Sequence, residues 1–292
     1  MQILIPALFL TLILALLCSA IQNALRNLLA SRPSLLSLAP AILSGLFCGV
    51  AAALGALSFP LTALILAYTF VPTACAWLIR DRPAPAWTDF GIILLLWLPL
   101  ELSVGGPFVP RPLQGLLHLA AYGVSILLGL TLFLLFRRLD GIKYQLPRTK
   151  PDFLNPLIGF AAVAPVLMGL GRALGFLVPI HLPAHRTAFG FLGQFLAILA
   201  ATALPEEILF RGLIQNSLML KLRTKEPALL LASFIFGCAH LNNGPGPLPN
   251  WRYMILATIA GYAYGKVFEK SSSIFASAFL HALVDSVKHW FF

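Results

Sequence analysis

Glu206, Glu207 and Arg211 lie in the run Leu204-Pro205-Glu206-Glu207-Ile208-Leu209-Phe210-Arg211-Gly212, inside a stretch otherwise suited to lipid. An ionisable group at mid-bilayer costs about 2.5–3.5 kcal/mol even on mild insertion scales. Three within six residues must pair with one another, line a wet cavity, or do both. On a helix Glu207 and Arg211 share a face, with the acid N-terminal, which is the favourable order. Glu206 points about 100° away and has no such partner. One carboxylate is thereby held by the guanidinium, and the other is free to meet a cavity. Pro205 removes a backbone donor and bends the helix, which is tolerated where a neighbour or cavity takes the freed carbonyl. The competing reading is a buried ion-pair network that only fixes helix packing.

Two later segments carry polar groups at matching depth: Phe236-Gly237-Cys238-Ala239-His240 and His281-Ala282-Leu283-Val284-Asp285. His281 and Asp285, four apart, share a helical face. At 1.5 Å per residue Glu206 lies roughly 22 Å from Lys221, His240 roughly 22 Å from Lys225 and His281 roughly 16 Å from Lys270. If those lysines mark one membrane surface, the carboxylate and both imidazoles reach one level near the bilayer middle. Such a set suits amide hydrolysis. A carboxylate with a neighbouring His can take a proton from water and return one to the leaving amine. A second His with Asp285 can orient substrate or stabilise an oxyanion. The alternative is Zn²⁺ held by Glu206, His240 and His281, with one position open for water. Three separate helices without an HExxH spacing argue against it, and no cofactor is expected.

The elements that must position these residues are membrane helices. Of 292 residues 59% are hydrophobic and 10% charged, against about 25% charged in soluble domains. The expected fold is all-α, a polytopic transmembrane helical bundle of about ten spans. The apolar runs fall near 3–24, 36–57, 60–79, 89–105, 113–136, 153–178, 188–219, 227–243, 251–268 and 272–291. The fourth is short, is interrupted by Pro99 and Glu101, and could be re-entrant. The first lacks a basic leader and reads as a retained span rather than a signal peptide. The basic stretch Arg137 to Lys150 is the one break in composition. It divides an N-terminal transmembrane region, residues 1–150, from a C-terminal core, residues 151–292.

Net charge is +10, but the cations cluster between apolar runs rather than on one face. They read as positive-inside loops rather than a nucleic-acid surface. With the basic stretch in the cytoplasm, fourteen Lys and Arg fall inside, Arg137 among them, and only Arg111, Arg186 and Arg252 fall clearly outside. Both termini are then outside a cytoplasmic (inner) membrane. Cys18, Cys48, Cys75 and Cys238 include no CxxC pair and read as small packing residues.

Glu206-Glu207 with Arg211 fits EExxxR, Phe236 with His240 fits FxxxH, and His281 with Asp285 fits Hxxx(Asn/Asp). In this order on successive hydrophobic segments, the chain resembles the CPBP (CAAX protease and bacteriocin-processing, or Abi) intramembrane endopeptidases over about 153–292. The resemblance implies that Glu206 and His240 activate water. It also implies that His281 and Asp285 polarise the scissile carbonyl, and that Glu207 and Arg211 give structural support. It favours a glutamate-dependent, metal-free reaction on a membrane-associated protein or peptide. The third motif ends here in Asp, where the prenyl-protein endopeptidases carry Asn. An ionised Asp only accepts, so Asp285 must be protonated or act through His281 to serve an oxyanion.

Other polar residues carry plainer readings. His118 is an isolated packed imidazole. His181 and His185 flank Leu182-Pro183 in an outside loop, a poor setting for a helical metal pair. Glu101 and Arg172 could line a cavity. Asn242, Asn243 and the Gly/Pro run after them read as a connector. Two other functions compete with an endopeptidase. A proton-coupled transporter would also need intramembrane acids and His, but repeat symmetry is lacking. A non-catalytic immunity or assembly protein could keep the same motifs.

Overall fold

The computed structural model describes residues 4–180, 187–244 and 247–292. The described residues form helices joined by turns and loops, with no strand among them. His181, His185 and Arg186 lie outside the described residues. The chain separates into two compact units, Met1–Asp140 and Gly141–Phe292.

The first unit holds α1 (Leu4–Ala15), α2 (Ser19–Ser31), α3 (Pro33–Ala53), α4 (Phe59–Leu78), α5 (Trp87–Glu101) and α6 (Arg111–Phe136). The first expected span, 3–24, is not one helix, since α1 and α2 meet at 78°. Cys18 is extended, and Gln22 Nε2 donates to the carbonyl of Leu16 at 2.6 Å, where the chain turns. Polar Gln22, Asn23, Arg26 and Asn27 recur along α2 and draw it out of the apolar direction of α1. Arg137 is also misplaced by the sequence reading. It is not a solvated loop charge but sits buried at the end of α6. Its Nε and Nη2 donate to Asp89 Oδ1 and Oδ2 at 3.0 and 2.9 Å. Its Nη1 reaches the carbonyls of Ile79 and Arg82 at 2.7 and 2.9 Å. This fork engages all three guanidinium nitrogens, which makes a buried pair tolerable.

The second unit holds α7 (Lys150–Ala173), α8 (Ala188–Leu222), α9 (Lys225–Cys238), α10 (Trp251–Lys270) and α11 (Ile274–Phe291). Asp152 ties its ends together. The buried carboxylate accepts from the Arg148 and Thr149 amides, both at 2.9 Å, and from the Ser272 amide and hydroxyl at 2.6 and 2.7 Å. The start of α7 is thus locked to the turn that opens α11. Lys143, in the stretch read as a boundary, donates to the carbonyls of Phe268 and Ser271 at 2.6 and 2.8 Å and closes the end of α10. Burial pulls its ammonium below the usual lysine range. Lys143, within the basic stretch, is therefore part of the scaffold of the second unit.

α8 is not a uniform helix. It widens into π-type turns over Leu199–Ala203 and Ile208–Gln215, on either side of the carboxylates. Pro205 lies between them, where its missing N–H disrupts regular bonding, and such bulges recur at functional sites. α9 and α10 approach closely. A Cβ on Gly261 would sit 2.9 Å from Phe236, and one on Gly237 would run into Thr258.

Among the described residues five helices, α3, α4, α6, α7 and α8, are long and apolar enough to cross a membrane, or up to six if α1 and α2 form one broken span. The ten apolar runs therefore outnumber the helices that meet this length and composition. α9 has only 14 residues, about 21 Å, against a hydrocarbon core of about 30 Å.

Candidate active site

The site is built around His281, one face of α11, and the carboxylates of α8. Glu207 is fully buried beside an equally buried Arg211, with Arg211 Nε 3.2 Å from Glu207 Oε2. Ser277, one turn before His281, donates its hydroxyl to the same oxygen. The other oxygen, Oε1, lies 3.0 Å from His281 Nδ1. Arg211 Nη2 donates to the carbonyl of Gly261 at 3.2 Å, and the guanidinium lies over the Phe236 ring at 4.6 Å. The close passage of α10 at Gly261 brings that carbonyl within reach.

Since an ionised carboxylate only accepts, Glu207 fixes a proton on His281 Nδ1. Nε2 of the same ring then faces two further acids, Asp285 Oδ2 at 3.5 Å and Glu206 Oε2 at 3.8 Å. Glu206 and Asp285 side chains keep 22% and 21% exposure, while Glu207 has none. Glu206 Oε2 is buried with no hydrogen-bond donor from the protein. Of the two adjacent glutamates, one is spent on structure and the other has unused acceptor capacity. The Tyr264 ring stacks on His281 with centroids 4.6 Å apart and planes 20° apart, which holds the imidazole orientation.

His240 comes from just past the end of α9, in the turn that follows Cys238, rather than from within a helix. Its Nδ1 lies 2.8 Å from the Phe236 carbonyl. That carbonyl accepts only, so Nδ1 carries the proton and Nε2 is left with a lone pair. The ring packs against Phe236 and Tyr253, at 4.7 and 4.6 Å between centroids. His240, Tyr253, Tyr264, His281, Asp285 and Lys288 line one cavity of about 70 Å³, walled also by Phe236 of α9 and by apolar residues of α7, α10 and α11.

The six residues singled out from sequence therefore fall into one neighbourhood with a definite order. Glu206, Glu207, Arg211, His281 and Asp285 are linked by direct contacts. His240 shares the cavity wall with His281 and Asp285, whereas Glu206 is not among the residues lining that cavity. His281 is the group common to both. Asp285 stands against His281 Nε2, the position from which it can act through the imidazole.

Among the described residues, no three of His, Cys, Asp and Glu are disposed to hold a metal ion. His281 directs both ring nitrogens at carboxylates, and His240 directs one at a carbonyl. Glu206, His240 and His281 are not drawn together as a ligand set in this arrangement. Glu101 accepts from Trp97 Nε1 at 3.2 Å, and His118 lines a separate cavity of the first unit.

Ser277, Tyr264 and Tyr253 were not singled out from sequence. Ser277 had a signal, since it precedes His281 by four residues on the face that also carries Asp285. The two tyrosines had none, because their stacking depends on how α10 lies against α9 and α11.

Residues 188–287 match the family model described as type II CAAX prenyl endopeptidase, Rce1-like. The matched segment contains all three motifs and agrees with the CPBP resemblance drawn from their residues. With the helical fold and the apolar helices, it places the chain among integral membrane proteins with a protease-like domain. Neither the curated proteins nor the solved structures compared give a match.

Proposed function

We propose that the second unit is an intramembrane endopeptidase that hydrolyses a peptide bond of a membrane-associated protein or peptide. The observation that supports it most is the division of labour at His281: one ring nitrogen is anchored by buried Glu207, and the other faces part-exposed Glu206 and Asp285.

In this reading Glu206 takes a proton from water, and the oxygen attacks the scissile carbonyl carbon. The carbonyl π electrons move onto oxygen, and the oxyanion accepts from Nε2–H of His281 in its doubly protonated imidazolium form, whose Nδ1–H stays on Glu207 and which Asp285 orients. Collapse of the tetrahedral intermediate breaks the C–N bond. Glu206 then returns its proton to the leaving amine. His240, whose Nε2 is free, hydrogen-bonds the attacking water. Glu207 and Arg211 hold the imidazole without exchanging protons. No metal takes part. The unit works in a cytoplasmic membrane with its basic loops in the cytoplasm and both termini outside.

The test uses the full chain in lipid vesicles with a detergent extract of membrane proteins, followed by mass spectrometry of new peptide ends. Wild-type protein generates cleavage ends that Glu206→Gln and His240→Ala do not, and a chelator leaves them unchanged. Cleavage ends that survive in folded Glu206→Gln would refute the reading. Turnover lost with chelator and regained with Zn²⁺ would overturn its metal-free chemistry.

A further inference from the structure

Away from the site, α7 and α10 enclose a groove of about 330 Å³. Its walls are Ile158, Val163, Val166 and Ile259, over small Ala162 and Ala263. Asn155, Lys266 and Lys270 sit at one end. The helices run antiparallel there, so the first turns of α7 and the last turns of α10 stand at the same level. From Asn155 to Val166 the groove extends roughly 16 Å along α7, about half of a hydrocarbon core of about 30 Å. It therefore has the length of one leaflet, with its amines at the polar end.

The charges at that end are unevenly answered. Glu226 and Glu269 both turn to Lys266, at 2.5 and 3.9 Å. Lys270, which closes α10, forms no ion pair among the described residues. Asn155 Nδ2 donates to the Lys270 carbonyl at 3.0 Å, which fixes the two helix ends together. Basic pockets between membrane helices on the side of basic loops suit anionic headgroups.

We infer that this groove binds an anionic glycerophospholipid of the leaflet bordering the basic loops. One acyl chain lies along Ile158, Ala162 and Val166, and the phosphate meets Lys270. The site is separate from the hydrolytic residues and does not depend on turnover.

Native mass spectrometry of the full chain with phosphatidylglycerol or phosphatidylcholine tests it. Wild-type protein retains phosphatidylglycerol at least fivefold more strongly, since one cation near an anionic surface contributes about that factor. Lys270→Gln removes the preference, and Ala162→Phe, which fills the groove, weakens both lipids. Ala263→Leu serves the same purpose should Ala162→Phe misfold, and circular dichroism checks helix content in each. Equal retention of the two lipids by wild type, or an undiminished preference in Lys270→Gln, overturns the inference. So does displacement of phosphatidylglycerol by millimolar inorganic phosphate, which would mark a site for the free anion.

Discussion

Glu206 and Glu207 are neighbours in sequence with opposite fates, and the difference is chemical accounting. Glu207 has a guanidinium, a hydroxyl and an imidazole around it, whereas Glu206 Oε2 has no donor from the protein. On the proposed mechanism Glu206→Gln is expected to lower turnover by about 10²–10⁴-fold, the range for a lost general base. It leaves the thermal unfolding midpoint nearly unchanged. Glu207→Gln removes the partner of a buried Arg211 and destabilises by about 3–5 kcal/mol, read by the same unfolding measurement. The reverse ordering, with Glu206→Gln the unstable variant, would contradict the assignment of roles. Ser277→Ala costs about 1–3 kcal/mol, because it removes a buried donor to a carboxylate. The Glu207–Arg211 pair was legible because i,i+4 spacing survives the widened turns of α8. The Tyr264 stack was not, since no local pattern encodes which ring of α10 meets which ring of α11.

At the level of elements, α8 supplies the acids, α11 the imidazole, and α10 the surface both close against. Gly261 matters because its backbone is itself a ligand of Arg211 and because Phe236 leaves no room for a side chain. Gly261→Ala is expected to destabilise by about 1–3 kcal/mol through overpacking and to reduce turnover as Arg211 shifts. Unfolding and cleavage assays on the same preparation check both. Asp152→Asn, at the junction of α7 and α11, loses charge-assisted acceptance from Ser272 and Thr149. It costs about 1–3 kcal/mol, again read by thermal unfolding. Element boundaries were less legible than pairings. The apolar pattern of residues 3–24 continues through the α1–α2 bend, so hydropathy reads straight across a change of direction. His240 was read inside a span, yet it sits in the turn beyond α9, where Nδ1 contacts a carbonyl four residues back.

Across the whole chain, composition was enough to mark a helical membrane protein, because a chain with 10% charged residues cannot cover itself for water. The number of spans was less accessible, since apolar runs can be short, bent or broken and still read as candidates. The three motifs gave the site its members because each lies on one helix face or one helix end. They did not give its centre. His281 holds that position through contacts with α8, and these arise only when α8 and α11 pack together. The first unit carries no motif of its own, and its buried Asp89–Arg137 pair went unread because the two residues are far apart in sequence.

The most direct measurement is oxygen-isotope incorporation during turnover in H₂¹⁸O. The full chain in vesicles, given a membrane-protein extract, should place one ¹⁸O in each new C-terminal carboxylate. His281→Asn and Glu206→Gln, verified as folded, should place none. Labelled ends appearing equally with Glu206→Gln, or none with wild-type protein, would contradict hydrolysis at the α8–α11 site.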